Sequence, residues 1–407
     1  MLGQSKGFRC IIHENHVYIK TFTKTETFRQ PEDGFAYNSF IFDVFFAMSY
    51  FAQLTEKHSR LTQMLMPFGV SEIEVFASPE QYYRMRAEFR IWHEKDSISY
   101  AMFEQGSKAS SRSLIRLTAF PTAHQNINRL MPILLECLSG SDTLKHRLYQ
   151  CEFLTTQRGE TLVTLIYHRK LDQAWQDAAR VLQEKLNVFI IGRSKGQKIV
   201  LTQDFVTECL NVAGQSYLYR QIEGGFTQPN AAVCEKMLEW ACMQAGKNSR
   251  DLLELYCGNG NFTLPLSRHF RRVLATEISK TSVAAAQWNI EHNAVDNIKI
   301  ARLSAKEFTE AFSGSRAFQR LKENQICLHD YDFSTIFIDP PRAGVDDESL
   351  KLVAQFERII YVSCNPETLC QNLQVLTQTH NIQAAALFDQ FPFTHHIESG
   401  VVLVRKK

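Results

Sequence analysis

Asp251-Leu-Leu-Glu-Leu-Tyr256 reads as a short buried strand that runs directly into Cys257-Gly258-Asn259-Gly260-Asn261-Phe262 and then into a helical pattern. No other feature of the chain limits its fold so sharply. Strand, glycine turn and helix form the first unit of a Rossmann-type parallel sheet, where glycines let the backbone approach a ligand closely. The alternation continues downstream, with apolar runs ending at Glu277, Leu303, Asp339 and Ser363, as successive strands of such a sheet require. A helix is predicted from Pro229 to about Gln244, and two further strands at 383–388 and 400–404. Between about residues 50 and 215 strands and helices mix. The helix Leu171 to Leu186 is followed by strands at 187–191 and 198–201, joined through an Arg-Ser-Lys-Gly turn. The expected architecture is therefore an α/β Rossmann-like domain over 217–407, preceded by an α+β domain over 48–216, with 1–47 as an extension.

The glycine turn lacks the full dinucleotide spacing, because Leu264 follows where a third glycine would help. An acidic residue is expected about 20 positions on, at the end of the next strand. Arg272-Val-Leu-Ala-Thr-Glu277 supplies it, and Glu277 can accept hydrogen bonds from both hydroxyls of a ribose. A ribose-binding glutamate without the phosphate glycines suits S-adenosylmethionine better than NAD.

Two more segments carry chemistry. Arg358-Ile-Ile-Tyr-Val362 is an apolar strand leading to Ser363-Cys364-Asn365-Pro366-Glu367-Thr368-Leu369. Pro366 suits the first position of a helix and Asn365 its cap. Cys364 is thus expected where a strand edge meets the positive end of a helix, a field that favours thiolate. A lone cysteine there is more often a small core residue; the flanking Asn-Pro-Glu tips the reading toward a nucleophile. Ser334-Thr-Ile-Phe-Ile338 ends in Asp339-Pro-Pro-Arg342, whose prolines hold an extended loop and place Asp339 at the carboxyl edge of the sheet. Alone, Asp-Pro-Pro could equally be an ordinary turn.

Together these motifs resemble the uracil-C5 RNA methyltransferases, most closely the tRNA (uracil-5-)-methyltransferases that form 5-methyluridine in the T loop. The resemblance extends from about Phe51 to the end. It includes Phe226-Thr-Gln228-Pro-Asn230 and Phe388-Asp-Gln-Phe-Pro-Phe-Thr-His-His-Ile-Glu398. It implies methylation of uridine C5 with S-adenosylmethionine as cofactor, through a covalent adduct of Cys364 with uracil C6, and with Glu398 as the base. It also implies that Gln228, Tyr256, Asn261, Glu277 and Asp339 bind the cofactor, and leaves open whether Asp339 also faces the uracil. The implied substrate is the T arm of tRNA, with transfer-messenger RNA as a further one. Ribosomal RNA uracil methylation and a separate RNA-folding role stand as alternatives. An amino-group methyltransferase would use an aromatic residue after Asp-Pro-Pro, where this chain has Arg342, and would not need Cys364.

Charge and composition agree. From Gln81 to Leu130 eight Lys/Arg face four Asp/Glu, and period-2 alternation puts Arg84, Arg86, Glu88 and Arg90 on one strand face. A basic outer face can hold phosphates, though alone it would read as a solvated strand. Tyr149 and His168 match positions where relatives place rings near RNA; the relatives have Phe at the first. The chain carries ten cysteines without a Cys-x-x-Cys pair or a secretory leader, so a cytoplasmic protein without an iron–sulfur cluster is expected; a monomer is expected as well. The longest apolar run, Phe40 to Phe51, contains Asp43 and is too short to span a membrane. His395-His396 has no partners at metal-ligand spacing, so no metal is expected. Residues 1–47, with five positive and five negative side chains, lie outside the resemblance. They are expected to be a poorly ordered extension, with Met48 as the natural start.

Overall fold

A computed structural model describes residues 7–13, 16–22, 37–95, 97–103 and 113–407, with side chains from Tyr50 onward. Its larger sheet has eight strands, in the order Ile298–Ala301, Val273–Thr276, Asp251–Leu255, Phe333–Ile338, Arg358–Ser363, Glu398–Arg405, His380–Phe388 and Glu74–Phe76. The first five are parallel, while Glu398–Arg405 runs antiparallel to both neighbours. Chain order reverses at Asp251–Leu255, which comes first in sequence among the five parallel strands yet lies inside the sheet. That reversal opens a crevice at the carboxyl ends of the strands. The strand interiors are apolar on both faces, and Leu253, Ile336, Ile359 and Val402 are among the fully buried residues, as expected for strands covered by helices on each side.

A second sheet of seven strands is built from residues 86–200, with Thr161–Tyr167, Leu148–Thr155 and Arg86–Glu94 at its centre. Helices Gln125–Ser139 and Gln173–Leu186 cover one face around Phe89, Phe153, Tyr167 and Trp175. The alternation read from the sequence holds here: Ala87, Phe89 and Ile91 point into this core.

The expected boundaries shift. A cut at 216/217 falls inside the strand Gln215–Ile222, which pairs with Phe205–Val212. Tyr217 and Tyr219 of that hairpin are buried with Val233 and Met237 of helix Ala231–Ala245. Residues 50–76, assigned by sequence to the first domain, belong instead to the large sheet. Tyr50, Leu54, Leu61 and Leu65 of helix Tyr37–Leu65 pack on its core, and Glu74–Phe76 adds its edge strand beside Ala386–Phe388. The extension expected over 1–47 lies partly outside the described residues. Within them, Gly7–His13 pairs antiparallel with His16–Phe22 and the helix starts at Tyr37.

Candidate active site

Strand register builds the site. Leu255 pairs with Thr276 on one side and Ile338 on the other, and Ile338 pairs with Tyr361. Glu277, Tyr256 and Asp339 are therefore the first residues beyond three neighbouring strand ends. They line one cleft of about 770 Å³ together with Gln228, Asn261, Cys364 and Glu398. The turn is tight: Tyr256, Gly258 and Gly260 have φ of 62°, 56° and 80°. A tyrosine in the left-handed region is strained, and such strain gathers at ligand sites. Glu277 is fixed from behind by the Gly258 N–H, which donates to Oε2 at 3.1 Å, and the Ser279 N–H, which donates to Oε1 at 2.7 Å. Asn261 is held through its carbonyl, which accepts from the Tyr219 hydroxyl at 2.9 Å, and its Nδ2, which donates to the Cys234 sulfur at 3.3 Å. Pro229, beside Gln228, accepts the Met85 N–H at 2.8 Å, so both domains shape the cleft.

The donor set fits S-adenosylmethionine. The Glu277 carboxylate, held by two backbone N–H groups, would take the ribose hydroxyls, and two more acids, Glu254 and Asp339, line the cleft where a cationic ligand would sit. Glu254 is 1 % exposed, and its Oε2 has no hydrogen-bond partner. If Glu277 accepts from the ribose hydroxyls, replacing it by Ala removes hydrogen bonds to a charged group worth about 1.5–3 kcal/mol each. The expected result is at least about tenfold weaker cofactor binding with RNA affinity retained; unchanged binding by calorimetry would refute the role.

Burial pushes the Glu254 carboxyl up to about 8 from 4.5. A carboxyl raised on folding favours the folded state fully below its unfolded pKa, and that contribution is lost as pH rises through the folded value. Without cofactor, Glu254→Gln should therefore match the wild type near pH 4 and exceed it increasingly toward pH 8. At about 1.36 kcal/mol per pKa unit the gap reaches a few kcal/mol. Melting curves across that range check it; a pH-independent offset would contradict the burial argument.

Cys364 and Glu398 meet because the Glu398–Arg405 strand is antiparallel to Arg358–Ser363. Ser363 pairs with Ser399, so the next step outward sets Cys364 opposite Glu398. Asn365 caps helix Pro366–Leu376, its side chain accepting the Glu367 N–H, and Pro366 occupies the first turn. Asn365 Nδ2 and Thr368 Oγ1 donate to the Arg342 carbonyl at 2.9 and 3.3 Å, bracing the Asp-Pro-Pro-Arg loop against the cysteine loop.

The thiol, however, departs from expectation. Burial pushes Cys364 up to about 11, the Glu398 and Asp339 carboxylates add to that, and Arg342 opposes it. The helix-end field read from the sequence is outweighed by desolvation and two acids. Burial also raises Asp339 to about 7 and Glu398 well above 4.5, the latter further through Asp339. A cation bound beside the three groups favours their ionised forms.

The proposed RNA residues separate into two groups. The Arg90 guanidinium lies 3.6 Å from the centre of the Tyr149 ring, and His168 stacks on that ring at 4.0 Å. Both faces of Tyr149 are therefore covered, and the outward ring of the stack is the exposed His168. Arg84 and Arg86 do not join it. Arg84 Nε donates to the Arg86 carbonyl at 3.0 Å, and Arg86 donates to the Gly225 carbonyl at 2.8 Å. Glu88 lies directly across from Glu152 on this face, so the face is mixed in charge rather than basic. Residues without a role in the sequence reading also line the cleft: Arg342, His396, Glu254 and Phe226, which is 75 % exposed at its rim. An aromatic after Gly224-Gly225 was the available signal for the last. Among the described residues no cluster of His, Cys, Asp or Glu could hold a metal ion, and no helix is long and apolar enough to cross a membrane.

A Rossmann-like sheet whose carboxyl edge gathers an acid, Glu277, and a cysteine–carboxylate pair, Cys364 and Glu398, in one cleft has the layout of a cofactor-dependent methyltransferase. A profile of the tRNA (uracil-5-)-methyltransferase family matches residues 49–406. The tRNA/tmRNA (uracil-C(5))-methyltransferase of Neisseria meningitidis serogroup B is 63 % identical over 357 residues, covering 88 % of this chain and 99 % of that protein. The enzyme of the same name from Acinetobacter baylyi is 59 % identical over 357 residues, covering 88 % of this chain and 99 % of its own length. The fold is also similar to that of Pyrococcus abyssi tRNA (uracil-54, C5)-methyltransferase solved with S-adenosyl-L-homocysteine. There the TM-score is 0.64 at 21 % identity, covering 87 % of this chain and 83 % of that one. The chain belongs to the tRNA (uracil-5-)-methyltransferase family, whose cofactor is S-adenosylmethionine.

Proposed function

We propose that this enzyme methylates C5 of a uridine in the T loop of tRNA and acts on the matching arm of transfer-messenger RNA. The register that sets Cys364 opposite Glu398 supports the reading most strongly, because uracil C5 is too weak a nucleophile to act unaided. Addition of the Cys364 thiolate to C6 loads negative charge onto C5 and the neighbouring carbonyl. In this reading Asp339, which lines the same cleft, helps to hold the cofactor. The cofactor supplies the methyl group, held by Glu277, Asn261, Tyr256 and Gln228. Glu398 then takes the C5 proton, the C5–H electrons rebuild the ring double bond, and the C6–S bond breaks to free Cys364.

The His168 ring offers a stacking face for an unpaired base. Aromatic stacking on a base is worth about 1–3 kcal/mol, so His168→Ala should raise the KM for T-arm RNA several-fold with kcat retained. An unchanged KM would remove the stack from RNA binding. The substrate itself is tested by nucleoside mass spectrometry after incubation with tRNA, transfer-messenger RNA and ribosomal RNA transcripts. 5-Methyluridine confined to the T loop is the expected result, and methylation of the ribosomal transcript alone would overturn the proposal.

A further inference from the structure

Glu398 opens its strand directly after an irregular loop, Asp389 to Ile397, that joins two antiparallel strands paired through Phe388 and Glu398. Part of what fixes this loop comes from helix Tyr37–Leu65, beside the bonds of Gln390 to the Asn230 N–H and the Met237 sulfur. Lys57 of helix Tyr37–Leu65 donates to Asp389 Oδ1 at 2.7 Å and to the Phe391 carbonyl at 2.8 Å. Gln53, one turn earlier, donates to Asp389 Oδ2 at 3.0 Å. The Lys57 and Asp389 side chains are 6 % and 0 % exposed. The Tyr50 hydroxyl joins them, pushed above its ordinary range by burial and by the Asp389 carboxylate, while its ring meets Phe393 edge-on.

A buried ion pair is a poor way to gain stability, since an apolar pair of the same shape does as well. Its distinctive property is direction: these bonds fix one carboxylate and one carbonyl at the first turn of the loop. Cys364 has further bonds on its own side. Its neighbours Ser363 and Asn365 bond each other, and Asn365 binds the Arg342 carbonyl. The base and the nucleophile share the Ser363–Ser399 strand pairing, and the loop leading into Glu398 carries the Lys57 and Gln53 bonds in addition.

We infer that Lys57 and Asp389, with Gln53, are positioning residues for Glu398, serving release of the covalent adduct rather than its formation. The inference rests on the reading of Glu398 as the base. In the step concerned, the C5 proton passes to the Glu398 carboxylate and the C5–H pair becomes the C5–C6 π bond. The C6–S pair returns to Cys364 as thiolate, so no outside reagent is needed. A loop freed at Asp389 leaves the thiol able to add and the methyl able to transfer, but sets the carboxylate away from the proton.

The test compares Lys57→Met, Gln53→Ala and Glu398→Gln in the full-length enzyme with a T-arm transcript and S-adenosylmethionine labelled in the methyl group. Turnover, KM for the cofactor, and labelled RNA that stays on the protein in a denaturing gel are all measured. Lys57→Met should lose tenfold or more in kcat with little change in KM for the cofactor, and should carry several times more labelled adduct than the wild type. Gln53→Ala, which removes a single bond, should show the same pattern more weakly and covers the case where Lys57→Met does not fold. A merely structural role would lower turnover and adduct together. Adduct in Glu398→Gln, with none above wild type in the other two variants, would overturn this inference alone. Absence of adduct in Glu398→Gln would overturn the assignment of the base, and the inference with it.

Discussion

Cys364→Ala is expected to lower methylation by at least about a thousandfold, since loss of a covalent nucleophile removes the whole two-step route. RNA binding should stay nearly intact, because the thiol forms its bond only after the base is seated. Neither nearby cysteine offers a substitute. Cys257 is 4 % exposed and its thiol is pushed well above its ordinary range by burial and then by Glu254. The Cys370 thiol instead faces the Met64 carbonyl at 3.6 Å, and Cys370 does not line the cleft. Radiolabel transfer assays and filter binding on the same preparation separate the two effects. Residual turnover above background in the alanine variant would move the nucleophile away from Cys364.

The second large effect concerns Glu398. In Glu398→Gln the adduct can form and accept its methyl group, but it cannot lose the C5 proton. Multiple turnover should stop, and enzyme should accumulate on methylated RNA in a slow-migrating band. The wild type should show the same band with a 5-fluorouridine substrate, because fluorine does not leave as a proton does. The alternative, that Glu398 is a bystander carboxylate, sits poorly with its 4 % exposure, its place in the cleft and its carboxyl raised by burial and Asp339. A glutamine variant with normal turnover and no adduct would take Glu398 out of the mechanism.

Much of the catalytic domain was legible because local rules and the global fold agree there. Strands ending just before Tyr256, Glu277 and Asp339 follow from apolar runs, and the Asn365–Pro366 helix start from capping preference. What escaped the sequence depends on partners far along the chain. Glu74–Phe76 looks like any short apolar run until it meets Ala386–Phe388. The helix carrying Lys57 gives no local sign of the loop it holds. Arg86 reads as a phosphate ligand by alternation, but Gly225 lies within reach and takes its guanidinium. The Cys364 thiol shows the same limit in energetic form. Its helix-end field is written in the local sequence, whereas the burial and the two carboxylates that outweigh it are set by strand register.

The central claim is a covalent bond between Cys364 and the target base, and one measurement addresses it most directly. A T-arm transcript carrying 5-fluorouridine at the methylation site is incubated with enzyme and S-adenosylmethionine, digested with protease and nuclease, and analysed by mass spectrometry. One modified peptide is expected, spanning Cys364, with the mass of a methylated fluorouridine nucleotide on the sulfur. A nucleotide on another cysteine, or methylated product released with no protein adduct, would contradict it.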